Sequence, residues 1–172
     1  MTALRKAELE TNTHGCQAGI GQWGIPGWGM SQDTHEFIVK RAKKFSGKKV
    51  LEIGTSRGRL AATLADLGCL VTTVDKEDRG AASNLAETGI TVVVQDAKKF
   101  LANSQEVYDL IIVDLHDNSP KIWSDLSFLL TQALAHKGKI LINNARLHAI
   151  PEWSEEFGVG EFLSNLPSSW EN

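Results

Sequence analysis

The sequence predicts an α/β domain built on a doubly wound, mostly parallel sheet of at least five strands. Three observations carry that prediction. Short apolar or β-branched runs recur with helical segments between them from about residue 48 to residue 144. One of these runs, Val50 to Ile53, passes straight into a glycine turn, Gly54 to Gly58, that opens a helix. Another, Leu110-Ile111-Ile112-Val113, is continuously apolar, as a strand covered on both faces must be.

Taken in order, residues 1–13 are polar and charged and suit either a short helix or a tail. Six glycines at 15, 19, 21, 24, 27 and 29, interleaved with Trp23, Pro26 and Trp28, exclude regular structure from the next stretch. Mobile backbone with large apolar rings suits a flap over a pocket, or equally an irregular wrap packed on the domain. The organisation expected is therefore an N-terminal segment and Gly/Trp-rich flap over 1–30, then one α/β domain over 31–172. Ser31 caps a helix whose face is Phe37, Ile38, Arg41, Ala42 and Phe45, and Ser46-Gly47 stops it.

Beyond the glycine turn, Leu60, Leu64 and Leu67 recur at helical spacing before Gly68. Leu70 to Val74 is a strand ending in Asp75, and Ala81 to Thr88 a helix closed by Gly89. Ile90 to Val94 is the third strand, and Asp96 is placed to cap a helix over 97–103. The fourth strand runs from Asp109 to Asp114. Ser119-Pro120 starts a helix with Ile122, Leu126, Leu129, Leu130 and Ala133 inward, and His136-Lys137-Gly138 ends it. Lys139 to Ile142 is the fifth strand, followed by Asn143-Asn144. Trp153, Phe157, Phe162 and Leu163 mark a further helical pattern that Pro167 breaks.

Composition narrows the function classes. The 172 residues carry a net charge of −3, which gives no field to attract nucleic acid or an anionic membrane. The basic cluster Lys40, Arg41, Lys43, Lys44, Lys48 and Lys49 lies where cations complement a helix's last turn. Two cysteines, Cys16 and Cys69, make neither a disulfide framework nor a zinc spacing. With no apolar leader and no membrane-length run, a cytoplasmic protein is expected.

The turn itself says something about its ligand. In a parallel sheet it lies at the carboxyl edge, where ligands bind and a helix N-terminus offers free N–H groups. A dinucleotide fingerprint has three glycines as G-x-G-x-x-G, whereas Gly54 and Gly58 are spaced G-x-x-x-G. Glu52 stands two residues before the first and would repel a pyrophosphate. It suits a cationic or amino-bearing ligand instead.

The pattern E-x-G-x-x-x-G, as Glu52-Ile53-Gly54-Thr55-Ser56-Arg57-Gly58, resembles the first motif of the class I S-adenosylmethionine (SAM) dependent methyltransferases. The variant with Ser56 in place of a middle glycine is similar to the caffeoyl-CoA and catechol O-methyltransferase branch. The resemblance implies a Rossmann-like fold and a cofactor that bears an ammonium and a sulfonium. It places Glu52 near the amino acid end of SAM and Gly54, Thr55, Ser56 and Gly58 along its ribose and methionine part. Asp75, with Lys76 beside it, falls where an acid grips both ribose hydroxyls. Asp96 and Ala97 fall where the adenine is held, Met30 where a methionine lies by the methyl group, and Asp114 at the same crevice.

Members of the family end in two further strands, the last antiparallel. No sequence is left for them here, so those C-terminal antiparallel strands are expected to be missing or replaced. The N-terminal segment or a homodimer would then cover the edge of the fifth strand.

The acceptor half of the chemistry is read from the same resemblance. The branch binds Mg²⁺ through an aspartate ending the fourth strand and an Asp-Asn pair ending the fifth, which here are Asp114, Asn143 and Asn144. One carboxylate is lost, so the metal site is expected to be weak unless substrate supplies anionic oxygens. The branch's catalytic lysine falls on Asp117, with Lys121 a helical turn further on. His116 and Asp117 thus remain as candidate proton acceptors for a hydroxyl or amine. The function expected is methyl transfer from SAM to a hydroxyl, or an amine, of a small molecule. The alternatives are a SAM-binding or regulatory module without catalysis, and an NAD-dependent oxidoreductase that shares the fold but lacks the pyrophosphate glycines.

Overall fold

The computed structural model describes residue 30, residues 32–115 and residues 120–143. Helix α1 (Gln32–Ala42) and a 3₁₀ turn (Lys43–Phe45) lead into β1 (Lys49–Ile53). There follow α2 (Arg59–Asp66), β2 (Leu70–Asp75), α3 (Ala81–Asn84), β3 (Thr91–Val94), α4 (Ala97–Asn103), β4 (Tyr108–Val113), α5 (Pro120–Ala133) and β5 (Leu134–Ile142). The sheet order is β3-β2-β1-β4-β5 and every pairing is parallel. This is the doubly wound Rossmann-like arrangement that the alternating pattern predicts.

Strand alternation sorts the core into two layers. Val50, Val71, Leu110 and Ile112 point to one face, where Ile38 and Ala42 of α1 and Leu60, Ala61 and Leu64 of α2 cover them. Leu51, Ile53, Val74, Ile111 and Val113 point to the other, under Leu101 of α4 and Trp123, Leu126 and Leu130 of α5. Trp123, at 1% exposure, is among the largest fully buried side chains, and the inward face expected for α5 did not include it.

Four expectations are corrected. On α1, Phe37 is half exposed and lies under the Arg41 guanidinium at 3.2 Å, so neither belongs to the core. The inward face is instead His35, Ile38, Ala42 and Phe45, at the i, i+3, i+7, i+10 spacing of one stripe. His35 reaches across to α2, its Nε2 3.2 Å from Thr63 Oγ1. Because that hydroxyl donates to the Arg59 carbonyl, the imidazole must donate. Burial, then Arg59, lowers the pKa of His35, which keeps it neutral.

The third correction is that α3 covers only Ala81–Asn84, since Glu87 takes a left-handed φ of 63° that a helix running on to Thr88 could not contain. The fourth is that α5 stops at Ala133 and the next residue already pairs as strand. Leu134 stands opposite Tyr108, but Lys139 stands opposite Leu110. The extra residues between them form an irregular bulge with Lys137 at φ 65°, where the sequence suggested a helix end. Predicted features at residues 1–29, 31 and 144–172, including the flap and the last helical pattern, lie outside the described residues.

Candidate functional site

All five strands end on one edge, and the strand order reverses between β1 and β4. In open α/β sheets a ligand crevice forms at such a reversal. Three carboxyl side chains stand there. Glu52 is on β1, Asp75 ends β2 and Asp114 follows β4, and the register places them on the same face of the sheet: Glu52 is level with Thr73 on one side and Ile112 on the other. Asp75 and Asp114 therefore lie one pleat period further toward the edge than Glu52's neighbours.

The turn between β1 and α2 is shaped by internal crowding. Gly54 has φ 102°, donates its N–H to the Val74 carbonyl at 2.8 Å, and would place a Cβ 2.0 Å from the Asp114 carbonyl oxygen. Gly58, at φ 90°, would place one 2.7 Å from the Leu85 side chain. From the sequence, these glycines are expected to serve the approach of a ligand. Their first requirement is the approach of the chain's own β4 tip and α3 region. Ser56 occupies the left-handed region at φ 52°, a conformation that glycine adopts at no steric cost and other residues seldom take.

Asp75 ties the turn to β2. Its Oδ2 accepts from the Ser56 N–H at 2.9 Å and its Oδ1 from the Glu77 N–H at 3.2 Å. A carboxylate has about four lone-pair positions, so capacity remains for ligand hydroxyls. Lys76 beside it is exposed.

Glu52 is 2% exposed and belongs to a buried hydrogen-bond chain. The Thr73 hydroxyl donates to Glu52 Oε2, and Thr55 Oγ1 lies 2.6 Å from Thr73 Oγ1. Burial, with Asp114 and Asp75 adding like charge, raises the Glu52 carboxyl to a pKa of about 8 against the lowering effect of Thr73. Asp114 is also raised by burial, opposed by the amide of Asn143, whose Nδ2 donates to Asp114 Oδ1 at 2.7 Å. Glu52 and Asp114, both held at raised cost beside Asp75, describe a place that a cation would relieve.

Met30 is half-buried and packs against the core layer on the Glu52 face. Asp96 is the N-cap of α4, its Oδ1 accepting from the Lys99 N–H at 3.0 Å, and Ala97 is half-buried behind it. Lys121 is exposed in the first turn of α5. His116, Asp117 and Asn144 lie outside the described residues. Thr73 is the residue that sequence reasoning missed: in Val-Thr-Thr-Val it reads as ordinary strand filler. The available signal was parity, since Glu52 precedes Gly54 by two residues and Thr73 precedes Asp75 by two.

Among the described residues no group of three His, Cys, Asp or Glu side chains could hold a metal ion. The Asp114–Asn143 pair offers a hydrogen bond where a hard cation needs two oxygens. No helix among the described residues is long and apolar enough to cross a membrane.

No protein-family model matches the sequence, and no curated protein matches it significantly. Solved structures do resemble the fold. The O-methyltransferase TomG from Streptomyces achromogenes, involved in tomaymycin synthesis and determined with SAM, matches with a TM-score of 0.69 and 21% identity, over 94% of this chain and 76% of that one. The SAH-bound methyltransferase PaMTH1 of Podospora anserina matches with a TM-score of 0.70 and 17% identity, over 94% and 77%. An O-methyltransferase from Bacillus cereus in complex with SAH gives 0.67 and 17%, over 94% and 77%. At these identities the likeness establishes the architecture, and the chain accordingly has the Rossmann-like fold in which these methyltransferases are built.

Proposed function

We propose that this protein is a SAM-dependent methyltransferase that acts on a hydroxyl, or an amine, of a small molecule. The observation that carries the reading is the convergence of Glu52, Asp75 and Asp114 on neighbouring strand tips around a glycine turn. That donor set fits a ligand with a cationic end and a hydroxyl-rich middle. Glu52 would face the ammonium, Asp75 the ribose hydroxyls, and the turn Gly54 to Gly58 would run along the ligand between them. Asp96 and Ala97 at the start of α4 would border the adenine. SAM, when bound, supplies an activated methyl group; the protein's own work is to hold donor and acceptor in line and exclude water.

A proton must leave the acceptor. His116 and Asp117, just past Asp114, are the residues whose chemistry and position in the chain suit its removal, with Lys121 as a neighbouring cation. The described residues do not fit a strong Mg²⁺ site. Asn143 turns an N–H toward Asp114, so a metal would need that amide reversed and a further oxygen donor, for which Asn144 is the candidate. No step here depends on it.

The experiment is a turnover screen of catechols, other hydroxylated compounds and amines with SAM, run with Mg²⁺ and with a chelator. The expected result is methyl transfer to at least one acceptor class that survives chelation. SAM binding without turnover across the screen would instead favour a SAM-binding or regulatory module, a reading that the Asn143 substitution in the metal position supports. Titration with NAD tests the oxidoreductase alternative, against which the single acid Glu52 and the two-glycine turn argue.

A further inference from the structure

Glu52 has no freedom to find its ligand, because it is fully enclosed and one of its oxygens is already engaged. What holds it is a row of three hydroxyl and carboxyl groups: Thr55 in the turn, Thr73 in the middle of β2 and Glu52 in β1, with Thr73 and Glu52 in direct register. Each is no more than 3% exposed. A fully buried threonine in the middle of a strand is out of place on packing grounds alone, since valine fills the same volume without a hydroxyl to satisfy. Its hydroxyl is satisfied twice, by Glu52 and by Thr55.

We propose that Thr73, braced by Thr55, is a positioning residue that fixes the Glu52 carboxyl for the ammonium of the bound donor and thereby selects ligands carrying that ammonium. With Glu52 ionised, the order of donation is Thr55 to Thr73 to Glu52, and the second carboxylate oxygen is left to a ligand. With Glu52 protonated, the chain can run in the opposite sense without moving a heavy atom. The charged groups around Glu52 among the described residues are Asp75 on β2 and Asp114 after β4, both acids, so the hydroxyl chain is what keeps this carboxyl from turning away from its like-charged neighbours. Thr55 adds a link to the turn, because its backbone carbonyl accepts from the Gly58 N–H at 2.9 Å.

The proposal rests on the SAM-binding reading above and is tested separately from it. Affinities are measured for two ligands: S-adenosylhomocysteine, which keeps the amino acid, and 5′-methylthioadenosine, which lacks it. The expected result is that Thr73→Val weakens S-adenosylhomocysteine by about tenfold or more while methylthioadenosine changes little, because the lost hydrogen bond orients a charged group. Thr73→Ser should restore the wild-type value, and Thr55→Val should show a smaller loss of the same selectivity. An equal loss for both ligands, or no loss for either, overturns the proposal. Failure of the wild-type protein to bind either ligand overturns the SAM reading instead. If Thr73→Val does not fold, the Thr55→Val and Thr73→Ser pair decides the matter by the same ratio of affinities.

Discussion

At the scale of single residues, the buried carboxyl of Glu52 dominates. Its pKa is raised from 4.5 to about 8, so the folded protein keeps a proton that the unfolded chain has lost. Its stabilising contribution is whole below about pH 4.5, declines through the interval, and is gone above about 8. Each tenfold gain in proton affinity is worth about 1.4 kcal/mol, so the whole change amounts to a few kcal/mol. Glu52→Gln keeps a hydrogen-bonding side chain and removes the titration. Thermal melts from pH 5 to 9 should therefore fall with pH in the wild-type protein and be visibly flatter in the variant; parallel curves would mean that Glu52 does not hold that proton. Burial and neighbours set this property, and neither is visible in a chain of letters. The letters did locate the carboxyl: an acid two residues before a glycine turn marks a strand tip and a candidate ligand group, as Asp75 does at the end of a β-branched run. Thr73 was not, because its meaning depends on which residue of β1 stands beside it.

At the scale of elements, the two-layer core explains why strand positions were read more surely than helix ends. The apolar runs of β1 and β4 are long enough, and covered on both faces, to fix themselves. Helix α4 was legible to the residue because Asp96 caps it through its own side chain. Helix α3 was overextended because Glu87 enters the left-handed region, which no composition signal announces. The junction of α5 and β5 was misplaced because pairing with Tyr108 takes Leu134 into the sheet ahead of the Lys137-Gly138 punctuation. Trp123 was overlooked since the stripe on α5 was already complete with aliphatic residues. Its burial at 1% exposure predicts that Trp123→Ala costs about 3–5 kcal/mol, the range for truncating a large core aromatic. Denaturant unfolding should show that loss as a lower midpoint. A loss of only about 1 kcal/mol or below would mean that the α5 layer is far looser than described. By contrast, the Lys49–Glu106 ion pair joins two exposed side chains, and breaking it should leave the midpoint almost where it was.

At the scale of the whole molecule, the order β3-β2-β1-β4-β5 brings three acids from distant points of the sequence to one edge at the strand-order reversal. The alternating runs over residues 48 to 144, together with the motif Glu52 to Gly58, anticipated that architecture, and solved structures of O-methyltransferases share it. The acceptor side was less legible, since Asp117 and Asn143 depart from the resembled pattern and the chemistry of His116 and Asp117 depends on what they face. The proposed function has one consequence for the molecule as a whole: SAM binding should take up a cation and give up a proton in exchange, because an ammonium beside Glu52 favours the ionised carboxyl. Calorimetric titration of SAM at pH 7, in two buffers of different ionisation enthalpy, reads both parts at once. Binding accompanied by release of most of one proton is the result expected. The absence of binding at millimolar SAM, or binding with no proton released, would contradict it.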